Sequence, residues 1–289
     1  MISSQAVSLS VWHKLLQYWL LTKPRLSVVV VFSAVMGAMI GGGEGWWLWI
    51  LLMIGGYGVT GGANAFNQVL ERETDKLMAR TAMRPLPSGQ VGVAEAIAVA
   101  LGWAVLGITA LAFIRWEVAL LGAFALLLYV FVYTPLKRVG PISVLVGAIP
   151  GALPPAIGYL ASRLALDEWF WMLFGVQFVW QFPHFWIIAW ISQSDYERAG
   201  FRMLPFSDRK LNRLAILLGS VVLALSSQMV GLFWGLEAVL WMGMLGIGVV
   251  GLAFRFYQKS DSGVAKQMLF GLTLFLTLFY IGLWLWSRG

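Results

Sequence analysis

Long apolar runs alternate with short polar stretches along nearly the whole chain. Nine runs stand out, at 26–42, 46–70, 91–114, 117–134, 142–160, 168–192, 213–233, 237–255 and 266–286. Most are close to the ~20 apolar residues that a helix needs to cross the hydrocarbon core of a bilayer. The first is short and bounded by glycines. No run shows the strict alternation of a half-buried strand, so the pattern predicts an all-α, polytopic membrane protein with about nine transmembrane helices.

Composition excludes the main alternative. The 289 residues are 60% hydrophobic and 11% charged, whereas soluble domains carry about 25% charged residues. The runs recur throughout, which predicts a single transmembrane domain over residues 1–289 with no soluble module. Cysteine is absent, which removes disulfides, thiolate metal sites and a cysteine nucleophile. The first thirteen residues hold no Lys or Arg and resemble neither a signal peptide nor a transit peptide. That predicts a bacterial plasma (inner) membrane protein inserted through its own first helix.

The net charge of +7 is explained by topology and not by nucleic acid. With nine spans and an inner N-terminus, 17 of the 20 Lys and Arg residues fall on one side and only Arg115, Arg163 and Arg288 on the other. Basic residues concentrate in cytoplasmic loops, so the N-terminus and the segments 71–90 and 193–212 are expected in the cytoplasm. The 16 tryptophans mostly fall near span ends, as in interfacial belts.

Polar chemistry gathers at the same inner ends. Asn67, Glu71 and Asp75 are spaced four apart, and on a helix such residues share one face. Hard cations such as Mg²⁺ take oxygen ligands, commonly one or two carboxylates together with substrate phosphates. Arg72, Lys76, Arg80 and Arg84 surround the stripe, as suits the remaining oxygens of a diphosphate. A solvated loop with ordinary surface ion pairs explains the spacing equally well. Lys137 and Arg138 follow the fourth run, and taken alone they read as membrane anchors.

Pro141, Pro150, Pro154 and Pro155, with Gly147, Gly151 and Gly158, predict a broken helix over 142–160 that borders a pocket. Gln177, Gln181 and His184 share a face of the sixth run beside Pro183, and polar groups within a span face the bundle interior or a cavity. Contact with a polar ligand such as a metalloporphyrin, proton transfer and a plain interhelical hydrogen bond all remain open for His184. Ser194-Asp195-Tyr196-Glu197-Arg198 repeats the theme of acids beside Arg, and a second metal site there would use Asp195.

Taken together, these strings resemble the UbiA-type intramembrane prenyltransferases, and within them the branch of heme O synthases. The resemblance rests on Thr22-Lys-Pro-Arg25, Asn67-Gln68 through Asp75, Arg80-Thr81, Arg84-Pro85, Tyr133-Thr-Pro-Leu-Lys137-Arg138 and Gly147-Ala-Ile-Pro-Gly151-Ala-Leu-Pro-Pro155. Pro183-His184-Phe185 and Asp195-Tyr196-x2-Ala199-Gly200-x2-Met203-Leu204-Pro205 are its most specific parts. Glu71 stands where the family commonly has Asp, Val139-Gly140 replaces a more usual Thr, and Ser192 and Gln193 replace acids that other members keep before the last Asp.

The resemblance implies a helical bundle around a central cavity. It also implies Mg²⁺-dependent transfer of a farnesyl group from farnesyl diphosphate to a vinyl group of heme B. It assigns Asn67, Glu71, Asp75 and Asp195 to metal and catalysis, with Lys137 catalytic and diphosphate-binding. Arg72, Lys76, Arg80, Arg84 and Arg138 are expected on the diphosphate, and His184, Gln181 and Gln177 on the heme. Farnesyl diphosphate, heme B, the bilayer and a downstream heme-modifying enzyme are the expected partners. A prenyltransferase for another aromatic acceptor and a non-catalytic heme-handling protein are the alternatives.

Overall fold

A computed structural model describes residues 11–163 and 165–288; residues 1–10, part of the N-terminal segment read above, lie outside it. The elements in chain order are α1 (Val11–Leu21), α2 (Pro24–Ile40), α3 (Trp46–Leu70), α4 (Arg72–Lys76), α5 (Val93–Ile114) and α6 (Trp116–Leu127). A π-helical turn (Leu128–Tyr133) and α7 (Thr134–Leu136) continue α6. Then come α8 (Ile142–Arg163), α9 (Glu168–Ile191), α10 (Gln193–Arg198), α11 (Arg209–Gly231), α12 (Leu236–Lys259) and α13 (Ser262–Trp286). Among the described residues there is no strand. Eight helices are long and apolar enough to cross a membrane, and α1 with α2, bent by 51°, makes a ninth if the pair counts as one span. The chain is a multi-pass membrane protein.

The bend between α1 and α2 has a local cause. Pro24 opens α2, where its missing N–H costs nothing and its fixed φ suits a first turn. Lys23 before it sits in the left-handed region at φ 49°, which a residue with a Cβ enters only when its surroundings force it. Here α3 does the forcing: Gln68 Nε2 donates to Leu21 O at 2.7 Å and Asn64 Nδ2 donates to Thr22 O at 3.3 Å.

In lipid, helices associate through close packing and not through a hydrophobic driving force, so small residues line their contacts. At the α2–α8 crossing a Cβ added to Gly158 would lie 1.7 Å from Ala34 O, and one added to Gly37 would lie 1.9 Å from Pro155 O. Overpacking of this kind costs about 1–3 kcal/mol or more, because backbone must move. Gly158→Leu is therefore expected to separate α2 from α8 and to lower the melting temperature in detergent. An unchanged melting curve would show that the crossing tolerates a side chain.

The structure corrects one expectation here. The segment with three internal prolines is one continuous helix of 22 residues. Proline at position i removes the bond to the carbonyl at i−4, so Pro155 frees Gly151 O. Gln177 Nε2 on α9 donates to that oxygen at 3.1 Å, which is how a neighbouring helix keeps a proline helix intact at membrane depth.

The bundle encloses a cavity of about 370 Å³ lined from α2, α3, α5, α6, the π turn, α8, α9 and α13. Its wall is overwhelmingly apolar, with Leu52, Leu111 and Leu126 among the lining residues, and Tyr133, Gly147, His184 and Phe185 also border it. Of these, Tyr133 also has the Lys137 amine 4.9 Å from its ring centre.

Candidate active site

The acidic stripe forms where α3 gives way to α4. The long helix stops at Leu70, and Glu71 links it to α4 at φ −97°. The four-residue register survives the interruption, because Glu71 N donates to Asn67 O at 2.9 Å and Asp75 N donates to Glu71 O at 2.7 Å. Asn67, Glu71 and Asp75 are all buried.

Each member of the stripe meets its own cation, brought from a different segment. Lys23 Nζ donates to Asn67 Oδ1 at 2.9 Å. Lys137 Nζ donates to Glu71 Oε1 at 2.8 Å. Arg84 Nη1 donates to Asp75 Oδ2 at 2.9 Å. Burial alone would push the Glu71 carboxyl up, but Lys137 beside it, helped by Lys23 and Asn67, holds it below the usual carboxylate range. Burial likewise opposes the charge on Lys137, and Glu71 outweighs it and raises the amine. Lys23 has no carboxylate of its own; burial of its amine, with Arg84 and Lys137 nearby, lowers it to about 7.

Local sequence explains how Thr134 and Lys137 reach this place. Pro135 cannot bond to the carbonyl four residues back and its ring crowds that carbonyl. The helix accommodates this in the π turn just before it, a distortion frequent at functional sites. Thr134 Oγ1 donates to Tyr129 O at 2.8 Å and accepts from Asn67 Nδ2 at 3.3 Å. Asn67 is thereby held between Thr134 and Lys23. Tyr133 and Phe201 flank the Lys137 amine, at 4.9 and 5.6 Å from their ring centres.

The donor set suits a hard cation that arrives with its own oxygens. Asp75 Oδ1 is buried without a hydrogen-bond partner, an orphaned acceptor of the kind a metal or bound ligand satisfies. Among the described residues no group of three His, Asp or Glu side chains forms a complete metal cage. Glu71 and Asp75 would hold Mg²⁺ with Asn67 beside them, leaving other positions for phosphate oxygens.

Several expected site residues do other things. Arg72 and Lys76 pair with Glu73, at 3.2 and 2.9 Å, on the exposed face of α4 and not with the stripe. Each follows a stripe carboxylate by one residue, a turn of about 100° around the helix. Arg80 Nη2 donates to Tyr196 OH at 3.2 Å. Arg138 is exposed. Asp195 Oδ1 accepts from Ala79 N at 3.1 Å and pairs with Arg198, whose Nε donates to Leu77 O at 3.1 Å. Among the described residues no hydrogen bond or ion pair joins Asp195 to the stripe. Its visible role is to fasten the 193–212 segment to the 71–90 loop. Arg202 N completes this cover by donating to Lys137 O at 3.0 Å.

The glutamine–histidine row divides. Gln177 is fully committed, to Gly151 O as described and as acceptor from Tyr280 OH at 2.6 Å. Gln177→Ala leaves two buried polar groups unpaired, each costing about 1–3 kcal/mol. The expected result is a lower melting temperature with unchanged ligand affinity; a selective loss of heme binding would restore Gln177 to the ligand site. His184 keeps spare capacity. It lines the cavity, its Nδ1 is buried without a partner, and its ring stacks on Trp180 with centroids 4.2 Å apart. Trp180 is itself pinned by Nε1 donating to Leu272 O at 2.7 Å. Gln181 lines the same wall.

Lys23, which the structure brings onto Asn67, is a residue that the sequence reading gave no role. Its only signal was its position in Thr22-Lys-Pro-Arg25.

The model of the UbiA prenyltransferase family matches residues 28–286. The chain belongs to the UbiA prenyltransferase family. Its curated UbiA-family relatives include the protoheme IX farnesyltransferase of Cytophaga hutchinsonii, 42% identical over 72% of this chain and 74% of the relative. The protoheme IX farnesyltransferase of Christiangramia forsetii is 37% identical over 90% of both chains. Among solved structures, a digeranylgeranylglyceryl phosphate synthase superposes with TM-score 0.75 at 15% identity, covering 95% of this chain and 98% of its own. A UbiA homologue from Archaeoglobus fulgidus bound to GPP and Mg²⁺ superposes with TM-score 0.66 at 15% identity, covering 92% and 99%. At that identity the superpositions establish the UbiA fold alone. The expected all-α bundle, and the family recognised from the motifs, agree with these findings.

Proposed function

We propose that the chain transfers the farnesyl group of farnesyl diphosphate to a vinyl group of heme B, yielding heme O, and works as one membrane domain. The observation that carries this reading is a carboxylate stripe, attended by Lys137 and Arg84, close beside an apolar cavity that holds a buried imidazole with a spare nitrogen. The relatives' names supply the acceptor.

Glu71, Asp75 and Asn67 would hold Mg²⁺, which bound with the diphosphate supplies charge stabilisation of the leaving group. Lys137 and Arg84 stabilise the same developing charge in a site already arranged for it. The farnesyl C1–O bond breaks and its electron pair leaves with the diphosphate. The apolar wall keeps water from the allylic cation. The terminal vinyl carbon then forms the new C–C bond, and the cation left beside the porphyrin takes up water, which gives up a proton to become hydroxyl. His184 and Gln181 orient the heme. Asp195, through Ala79, keeps the two loops closed over the diphosphate end.

An acceptor comparison tests the reading. Purified protein with Mg–farnesyl diphosphate is offered heme B or a phenolic quinone precursor. Prenylation of heme B alone is expected; prenylation of the phenol alone would assign the chain to another acceptor, and neither product would favour a heme-handling role.

The reading also puts the loops 71–90 and 193–212 in the cytoplasm of a bacterium, on the strength of the basic-residue asymmetry. Ser88 and Ser207 are exposed on those loops. Ser88→Cys and Ser207→Cys in this cysteine-free chain are expected to resist membrane-impermeant thiol reagents in intact cells. Labelling of both from outside would reverse the orientation.

A further inference from the structure

Few polar side chains line the cavity, and several of them are committed elsewhere. Ser33 Oγ donates to Val29 O, Thr273 Oγ1 to Leu269 O and Asn64 Nδ2 to Thr22 O, while Gln177 is bonded at both its oxygen and its nitrogen. The Gln181 carboxamide is not committed. It is 6% exposed, it lines the cavity, and among the described residues no hydrogen bond engages it. Buried polar groups are normally paired with protein or with water, so an open amide on an apolar wall points to a polar ligand.

Glycines fix where that amide stands. A Cβ added to Gly151 would lie 2.5 Å from Gln181 Nε2 and 3.1 Å from Oε1, so the amide rests on bare α8 backbone. One turn earlier, a Cβ added to Gly147 would lie 2.5 Å from Tyr133 Cδ2. The two glycines share a helix face, so Gln181 stands about one 5.4 Å turn from Tyr133 along α8. Tyr133 has the Lys137 amine 4.9 Å from its ring centre and the Phe185 ring at 5.9 Å. Tyr129 precedes Tyr133 by one turn, on the side away from Lys137, and also lines the cavity. Among the described residues its hydroxyl makes no hydrogen bond.

If this cavity is where farnesyl passes to heme B, as proposed above, two cations form in turn. The first is allylic, at farnesyl C1 beside the departing diphosphate. Once the terminal vinyl carbon has bonded to C1, the positive charge sits on the vinyl carbon next to the porphyrin, two bonds from C1. We infer that Gln181 holds the water that captures this second cation, and thereby decides between hydration and proton loss. Gln181 Oε1 accepts a hydrogen bond from the water, and the Tyr129 hydroxyl supplies the second polar contact that a held water needs. Gln181 Nε2 stays free to meet the heme. Standing a turn away from the diphosphate end, the water is out of reach of C1 when the first cation forms. The charge then moves toward it. The water oxygen donates its electron pair to form the C–O bond, and the proton passes to the released diphosphate, a base that the reaction itself supplies. A neutral amide suits this task, because a carboxylate there would attack the cation itself. Without held water, the cation loses a proton from the former terminal vinyl carbon and leaves an alkene one water lighter.

The test is the identity of the porphyrin product, by mass spectrometry after a single turnover of full-length protein in detergent. Wild-type hydroxyl product carried through the same work-up corrects for dehydration after release. Gln181→Met, of similar shape without the amide, is expected to raise the ratio of alkene to hydroxyl product at least about tenfold, the scale of one lost hydrogen bond. Gln181→Asn, which keeps a carboxamide set back by one methylene, is expected to fall between the two. A lower rate with an unchanged product ratio in Gln181→Met overturns the inference, since a merely structural residue slows turnover without redirecting it. A second measurement needs no variant to fold. With methanol added to wild type, a held water is expected to keep the methyl ether about tenfold or more below the methanol-to-water mole ratio. Ether formed in proportion to that ratio overturns the inference. Absence of any farnesylated heme from wild type overturns the proposed function itself.

Discussion

Asp75→Asn is expected to lower the rate of prenyl transfer at least ~10²-fold, the scale seen when one preorganised charge partner of a transition state is lost. Asp75 is completely buried, holds Arg84 at 2.9 Å through Oδ2 and presents an orphaned Oδ1. The amide keeps the shape and removes the charge, so membrane insertion is expected to persist while the melting temperature falls, because Arg84 loses its buried partner. Glu71→Asp is expected to stay active, since a carboxylate remains and the family commonly carries Asp there. Lys76→Ala and Arg72→Ala provide the contrast. Both residues are about half exposed and pair with Glu73, and exposed pairs of this kind contribute little. Their rates are expected within about twofold of wild type. Turnover assays in detergent check all four, and a wild-type rate in Asp75→Asn would remove the stripe from the mechanism.

His184→Ala is expected to weaken heme B about 10- to 100-fold, the range for losing a bond to a charged or metal group. Affinity for Mg–farnesyl diphosphate is expected to hold. His184 lies in the cavity wall, fixed by stacking on Trp180, and is absent from the hydrogen-bonded set around Asn67, Glu71 and Asp75. If His184 ligates the iron, the Soret band of bound heme shifts in the variant; if it meets a propionate, affinity falls without that shift. Absorption titration separates the two. Normal heme binding with impaired diphosphate binding would move His184 to the other substrate.

The elements legible in the sequence were those set by a single physical rule. Span number follows from hydropathy, and the stripe follows from four-residue spacing, which survived even the break at Glu71. Contacts between distant segments were less legible. Spacing placed Gln177 and His184 on one face, but only the packed helices show that Pro155 frees a carbonyl that claims Gln177. Nearness in sequence suggested Arg72 and Lys76 for the diphosphate, while the helical turn carries both to the exposed side. Lys23 was given no role because nothing local reveals the elbow that turns it toward Asn67, 44 residues on. Asp195 kept the expected company of Arg198, but its other partner, Ala79 N, is a backbone group that no motif encodes.

The most direct measurement is a single-turnover incubation of purified protein, heme B and Mg–farnesyl diphosphate in ¹⁸O-labelled water, followed by mass spectrometry of the porphyrin. The proposed function predicts heme carrying one farnesyl group and one ¹⁸O hydroxyl, with diphosphate released in equal amount. Unmodified heme accompanied by labelled farnesol would contradict it.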